Sequence, residues 1–476
     1  MTLPRYDATS RQGVSLDAPQ AYARVDSRRV NAPETPTRGT RLWRRQFGPD
    51  LGLGIIGQFF QASMSLSPGT RLGPCEIAAE TGRGGVGRAV AGGSFSGQGG
   101  VHMSWTRQAG FPVLALLVTA CGGQPTVAEH GGEEPTVAEH PAVPTFAVDP
   151  SWPTMPNDWV LGQVSSVTVD GQDNVWVLHR PRTVEDGQGT AAPPVLEFDD
   201  AGTFIRAWGG PGTGYEWPAN EHGIHVDYQG HVWIGGNSGQ PESDDMLLKF
   251  TTEGELLLQI GHRGQSGGNT DTENVRRPAE AFVYQDTNEV FVADGYGNRR
   301  VIVLDADTGA FKRMWGAFGN EALDSPPETG APDQTRGPEH FGIVHGIEVS
   351  NDGLVYVADR GNSRIQVFTI DGAYTTQGFV NQNADSASTT AGLAFSPDPE
   401  QQFIYVADQG NSRIHVVDRT TLEVLDSFGR NGAQPGDFQA LHHIASDSNG
   451  NLYTAEAQQG RRVQKFVFQG MAPASR

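Results

Sequence analysis

"FGIVHGIEVSNDGLVYVADRGNSRIQVF", residues 341–368, reads as three short β-strands in succession. Apolar and other residues alternate in "IVHGIEV", "SNDG" supplies a turn, and "LVYVAD" is rich in the β-branched and aromatic residues that suit a strand. "RGNS" is a second tight turn, and "RIQVF" is the third strand. One residue resists this reading. His345 stands at the head of the first strand, where a residue needed only for packing would be apolar.

The pattern recurs on both sides of this stretch. Its counterparts are "SSVTVDGQDNVWVLHR" (165–180), "HGIHVDYQGHVWIGG" (222–236), "AEAFVYQDTNEVFVADG" (279–295), "AGLAFSPDPEQQFIYVADQ" (391–409) and "HHIASDSNGNLYTAEA" (442–457). Most continue into a third strand, such as "RRVIVLD" (299–305) or "SRIHVVD" (412–418), and several close with a fourth, such as "GAFKRMWG" (309–316). Six repeats of about 50–60 residues, each of about four strands, predict an all-β six-bladed propeller with four-stranded blades around a central channel. The sixth repeat lacks a clear fourth strand, so "TFAVDPSW" (145–152) is expected to return to it and latch the ring. The propeller is assigned to residues 145–472. Its turns "DRGNSR" (359–364) and "DQGNSR" (408–413) look like NHL repeats. Asp359 with Arg364, and Asp408 with Arg413, are expected to pair across them as exposed structural pairs.

The charge is uneven. Of 34 Lys+Arg and 55 Asp+Glu, residues 1–120 hold 13 and 7; the remainder therefore holds 21 and 48, a net −27. A body so acidic argues against binding nucleic acid or an anionic membrane surface and suits a soluble domain. Two cysteines, Cys75 and Cys121, give no disulfide framework. Cys121 ends "MSWTRQAGFPVLALLVTAC" (103–121), which has an arginine, a short apolar run and small residues before the cysteine. That run is too short for a lasting membrane span and has the length of a signal-peptide core. Its ending resembles a bacterial lipobox. Residues 103–120 are thus read as a lipoprotein signal, Cys121 as the lipidated residue and 121–144, with "PTVAEH" twice, as a flexible tether. Residues 1–102 would then be either a wrongly extended reading or a disordered extension. The expected location is the bacterial cell envelope, with membrane contact only through the lipid, and the expected state is a monomer.

Superposing the repeats puts one slot at the head of each innermost strand. It holds Ser165, His222, Ala279, His345, Ala391 and His442. Histidine fills every second slot, and with 13 histidines in 476 residues this alternation is not expected by chance. Alternate blades of a six-bladed ring lie about 120° apart and their innermost strands line the channel. Three imidazoles would converge there as a three-histidine zinc site with an open fourth position. The small residues in the other slots leave the channel open. Two more residues stand out. "DGYGNRR" (294–300) has one residue more than "DRGNSR", presenting Tyr296 between glycines that permit unusual backbone angles and close approach. Arg180 ends the equivalent strand of repeat one.

Residues from about 145 to 470 resemble the peptidyl-α-hydroxyglycine α-amidating lyase family. "GQVSSVTVD…HR", "HGIHVD", "DGY.N.R", "HGIEVS…VADRGNSRIQVF" and "FQALHHIASDSNGNLY" carry the resemblance. It implies a six-bladed propeller that splits a peptidyl-α-hydroxyglycine in the central channel into a peptide amide and glyoxylate. It implies His222, His345 and His442 as zinc ligands, Tyr296 as general base and Arg180 as its electrostatic partner. It also implies a structural calcium held by an aspartate, but His443 stands at that position, so calcium is not expected. A methionine of the family is Ala440 here, and a turn cysteine is Gly297. The competing reading is a non-catalytic NHL propeller that binds a protein or envelope ligand. A calcium-dependent lactonase propeller would need acidic and amide ligands that the slot does not supply.

Overall fold

Short strands with alternating apolar residues form sheets too small to bury both faces alone, so they must stack. The computed structural model of the chain shows how they do. It describes residues 141–324, 335–384 and 386–475, with two short strands at Arg71–Leu72 and Cys75–Glu76. The chain divides into two units, residues 1–124 and 125–476. The described part of the first is the antiparallel pair just named. Cys121, the signal-like run 103–120 and the tether as far as residue 140 lie outside the described residues.

The second unit contains six four-stranded antiparallel sheets, the blades of a six-bladed propeller. Blade 1 begins with the innermost strand Gln163–Val169, blade 2 with Glu221–Val226 and blade 3 with Glu280–Tyr284. Blades 4, 5 and 6 begin with Val344–Val349, Gly392–Phe395 and Leu441–Ser446. Each innermost strand packs beside that of the next blade, and the sixth beside the first, so the ring is closed. The described residues contain no α-helix, only three short 3-10 turns.

Strand Ala142–Asp149 is the outermost strand of blade 6 and pairs with Arg462–Pro473, from Lys465 opposite Asp149 to Pro473 opposite Ala142. The latch therefore comes from the stretch expected to supply it, starting a few residues earlier. Six apolar clusters among the described residues each join two neighbouring blades; one links Tyr453 and Ala455 of blade 6 to Val164 and Val177 of blade 1. Burial thus holds blade to blade and leaves the axis to polar groups.

The tight turns also fix positions. In blade 4 the buried Asp359 and Arg364 pair at 2.8 Å, both side chains fully enclosed rather than exposed as the sequence suggested. Asp294 and Arg300 in blade 3 repeat the arrangement at 2.8 Å. The expected Asp408–Arg413 pair does not form. Arg413 is exposed, and His415, two residues on, fills the place with Nε2 3.0 Å from the Asp408 carboxylate. A strand's side chains repeat every second residue, so His415 lies on the same face as Arg413, and its ring reaches the acid although Arg413 stands directly opposite Asp408 in the ladder.

Candidate metal centre

Each slot histidine interrupts its ladder. The register shifts between Glu221 and Ile224, between Val344 and Gly346, and between Leu441 and His443, so His222, His345 and His442 each sit in a β-bulge. A bulge re-aims a side chain that regular pleating would direct into the blade. The three imidazoles are buried. Their ring centroids form a nearly equilateral triangle, with separations of 4.9, 4.8 and 4.9 Å. One nitrogen of each lies within 4.8 Å of the other two, close enough for the three residues to hold one metal ion.

The alternate blades supply the orientation. His222 Nδ1 is 2.7 Å from the Ala279 carbonyl, His345 Nδ1 2.5 Å from that of Ala391, and His442 Nδ1 2.6 Å from that of Ser165. A carbonyl only accepts, so each Nδ1 carries the proton and donates it, leaving each Nε2 lone pair free for a ligand. The slots without histidine are thus acceptors built from backbone, and their small side chains let the preceding blade's imidazole approach. Gly223 serves the same contact, because a Cβ there would lie 2.3 Å from the Ala279 carbonyl oxygen. All three imidazoles are held well below the ordinary histidine range, first by burial and then by neighbouring imidazoles and the guanidiniums of Arg180 and Arg360. Neutral imidazole is the form that binds metal.

Tyr296 reaches this triangle from blade 3. Its hydroxyl is 3.0 Å from His222 Nε2 and 3.1 Å from His345 Nε2. Its turn is pressed against blade 4: a Cβ on Gly295 would lie 2.0 Å from the Val344 carbonyl oxygen, and one on Gly297 2.3 Å from Arg276 Cγ. Neither glycine has a positive φ, so close approach, and not unusual backbone angles, is the reason for both. Arg180 is buried; its Nε donates to the Glu221 carbonyl at 2.8 Å and its Nη1 to Gln163 at 2.9 Å. The guanidinium that touches the phenol is another. Arg360 Nη1 donates to the Tyr296 hydroxyl at 3.1 Å, and its guanidinium lies 5.2 Å from the ring centroid. Sequence reasoning passed over Arg360 as a turn residue of "DRGNSR". The available signal was its replacement by Gln409 in the otherwise matching turn of blade 5, which carries no slot histidine.

Deeper in the channel, Glu280 of blade 3 accepts the Ile347 N–H at 2.8 Å and lies 2.6 Å from His443 Nε2 of blade 6. Burial opposes charge on His443, yet the Glu280 carboxylate outweighs it and the imidazole is pushed up from its usual value. Glu348, beside Glu280, is raised well above the carboxylate range by burial and then by that neighbour. Calcium prefers a cage of oxygen ligands. An imidazole already paired with the nearby carboxylate does not fit it.

Comparison with known proteins agrees with this architecture. The NHL repeat family model matches residues 341–368. The human NHL repeat-containing protein 3 is 29% identical over 228 residues, covering 48% of this chain and 57% of its own. Peptidyl-alpha-hydroxyglycine alpha-amidating lyase 1 of Drosophila melanogaster is 26% identical over 362 residues, covering 69% and 61%. Peptidylglycine alpha-amidating monooxygenase of Rattus norvegicus is 27% identical over 330 residues, covering 64% and 30%. The chain thus spans less than two thirds of each of these relatives. Six closed blades, an NHL repeat and these relatives together make the chain a six-bladed NHL-repeat propeller similar to the peptidyl-α-hydroxyglycine α-amidating lyases.

Proposed function

We propose that the chain is a zinc-dependent lyase that splits a peptidyl-α-hydroxyglycine, or a related carbinolamide, into an amide and glyoxylate. The observation that carries this reading is the Tyr296 hydroxyl, which lies between the Nε2 atoms of two of three convergent imidazoles and under a guanidinium. Its ring packs against the apolar cluster between blades 3 and 4, while its hydroxyl meets the imidazoles and not that cluster. Three neutral nitrogen donors suit zinc among the imidazole-binding ions. When bound, zinc supplies a Lewis acid that stabilises negative charge developing on substrate oxygen.

The Tyr296 oxygen is positioned, as the phenolate, to take the proton of the α-hydroxyl. The O–H electron pair then becomes the second bond of the glyoxylate aldehyde, and the N–Cα bond breaks. Its electron pair remains on the amide nitrogen, which receives the proton back from Tyr296. No water, oxidant or reductant is consumed. Arg360 fixes the Tyr296 oxygen at the imidazoles, and Arg180 adds positive charge felt by Tyr296, His222 and His442.

The test measures bound metal and glyoxylate release from a peptidyl-α-hydroxyglycine. Wild type should bind metal and release glyoxylate. Tyr296→Phe should keep the metal and lose roughly 10²–10⁴-fold in rate, the usual contribution of a positioned acid or base. His345→Ala should lose both. A wild type that binds no metal removes the reading. Bound metal without glyoxylate release leaves a propeller that binds a ligand without catalysis.

A further inference from the structure

Most arginines of the described residues lie within 4.0 Å of a carboxylate, as an acidic body makes easy. The exceptions are not scattered. Arg180, Arg182, Arg276, Arg277, Arg299 and Arg360 have no such partner among the described residues, and all six gather around the turn that carries Tyr296. The one exception elsewhere among the described residues is Arg413 of blade 5. Arg277 Nη2 donates to the Tyr296 carbonyl at 2.6 Å, and the Arg276 carbonyl accepts the Gly297 N–H at 3.0 Å.

Beside this turn opens a cavity of about 820 Å³. Arg182, Arg276 and Arg277 line it with polar groups including Asn220, Asn237 and Ser243. It adjoins the metal centre, since Asn220 precedes His222 by two residues and Arg180 grips the intervening Glu221 carbonyl. Arg182 commits only Nε, to the Ala219 carbonyl at 2.8 Å, and Arg276 makes no side-chain hydrogen bond among the described residues. Both are exposed. A neighbouring recess of about 390 Å³ carries Arg276 and Arg299, with the Asp324 carboxylate as its one acidic lining group.

Guanidiniums left unpaired beside a reaction centre are ready forks for carboxylates. We propose that this groove docks the peptide leading to the scissile residue and selects chains with aspartate or glutamate just upstream of it. The assignment rests on the lyase reading for its substrate but has a separate readout. An acidic segment held between Arg182 and Arg276 would place the following residue at the Tyr296 hydroxyl, so groove and centre act on one extended ligand.

The test uses the metal-loaded chain and two product-type probes that need no turnover, acetyl-Asp-Asp-Phe-amide and acetyl-Ala-Ala-Phe-amide, titrated by calorimetry. The acidic peptide should bind about tenfold tighter, the size of one charge-assisted hydrogen bond. The preference should shrink with added salt and vanish in Arg182→Gln/Arg276→Gln, while Arg182→Lys/Arg276→Lys should keep part of it. Neutral-peptide affinity should be the same in all three proteins. Equal affinity for both probes, or a preference that survives the glutamine pair, overturns the groove. Preferential binding by a chain that releases no glyoxylate keeps the groove and removes the lyase; glyoxylate release without preference does the reverse.

Discussion

Histidines are buried in this ring for two unlike reasons. The slot histidines keep Nε2 toward the axis. His179 of blade 1, equally buried, satisfies both nitrogens within its blade: the Gly162 N–H donates to Nδ1 at 3.1 Å, and Nε2 lies 3.0 Å from the Pro193 carbonyl and donates to it. Burial lowers its proton affinity from 6.5 to about 4. The unfolded chain therefore binds this proton at a higher pH than the folded one. The neutral imidazole costs nothing above pH 6.5, destabilises progressively as pH falls toward 4, and by then removes about 3 kcal/mol. His179→Gln can reproduce both hydrogen bonds without titrating. Urea unfolding of the two proteins between pH 7 and 4 should show the wild type losing the larger share of stability, and parallel curves would refute the assignment.

Strands and turns explain why one motif has two outcomes. Arg364 binds Asp359 and also donates to the carbonyls of Arg336, Pro338 and His340, gathering the loop that enters blade 4. Arg300 does the same for Asn269, Asp271 and Asn274 at the entry of blade 3. Arg413 stands outside and, among the described residues, reaches only Ser427. Arg364→Ala should cost about 3–5 kcal/mol, because it leaves a buried carboxylate without its cation. Arg413→Ala should stay within about 0.5 kcal/mol. Equal urea midpoints for the two variants would contradict this account. Such divergence marks the limit of what the residues alone disclose. Period-two alternation and repeated turns made the blades and the histidine slot readable, because each recurs. The bulges were not readable, since they depend on register against a partner strand. Nor were the carbonyls of Ala279, Ala391 and Ser165, which every residue possesses. Arg360 and His415 were missed because neighbours in space, not in sequence, give them their partners.

Closure governs the ring as a single object. Apolar contacts run from blade to blade, so an open ring loses a complete seam. Strand Ala142–Asp149 covers the edge of blade 6, with Val143 buried and Phe146 packed on Tyr405 and Phe428. A chain beginning at Pro150 would expose Arg462–Pro473 as a long unpaired edge, a template for association. It should aggregate or melt without a cooperative transition in size-exclusion and circular-dichroism measurements. A monomer with unaltered melting would show that the latch is dispensable.

The bulged histidines give this closure a temporal meaning. A ribosome delivers His222 first, His345 more than a hundred residues later and His442 about a hundred after that. The blade bearing His442 is finished only when a strand made before any of them folds back to meet the newest one. Half-built chains thus own one or two stray imidazoles but no cage, and the moment the circle shuts is also the moment the three nitrogens first face one another.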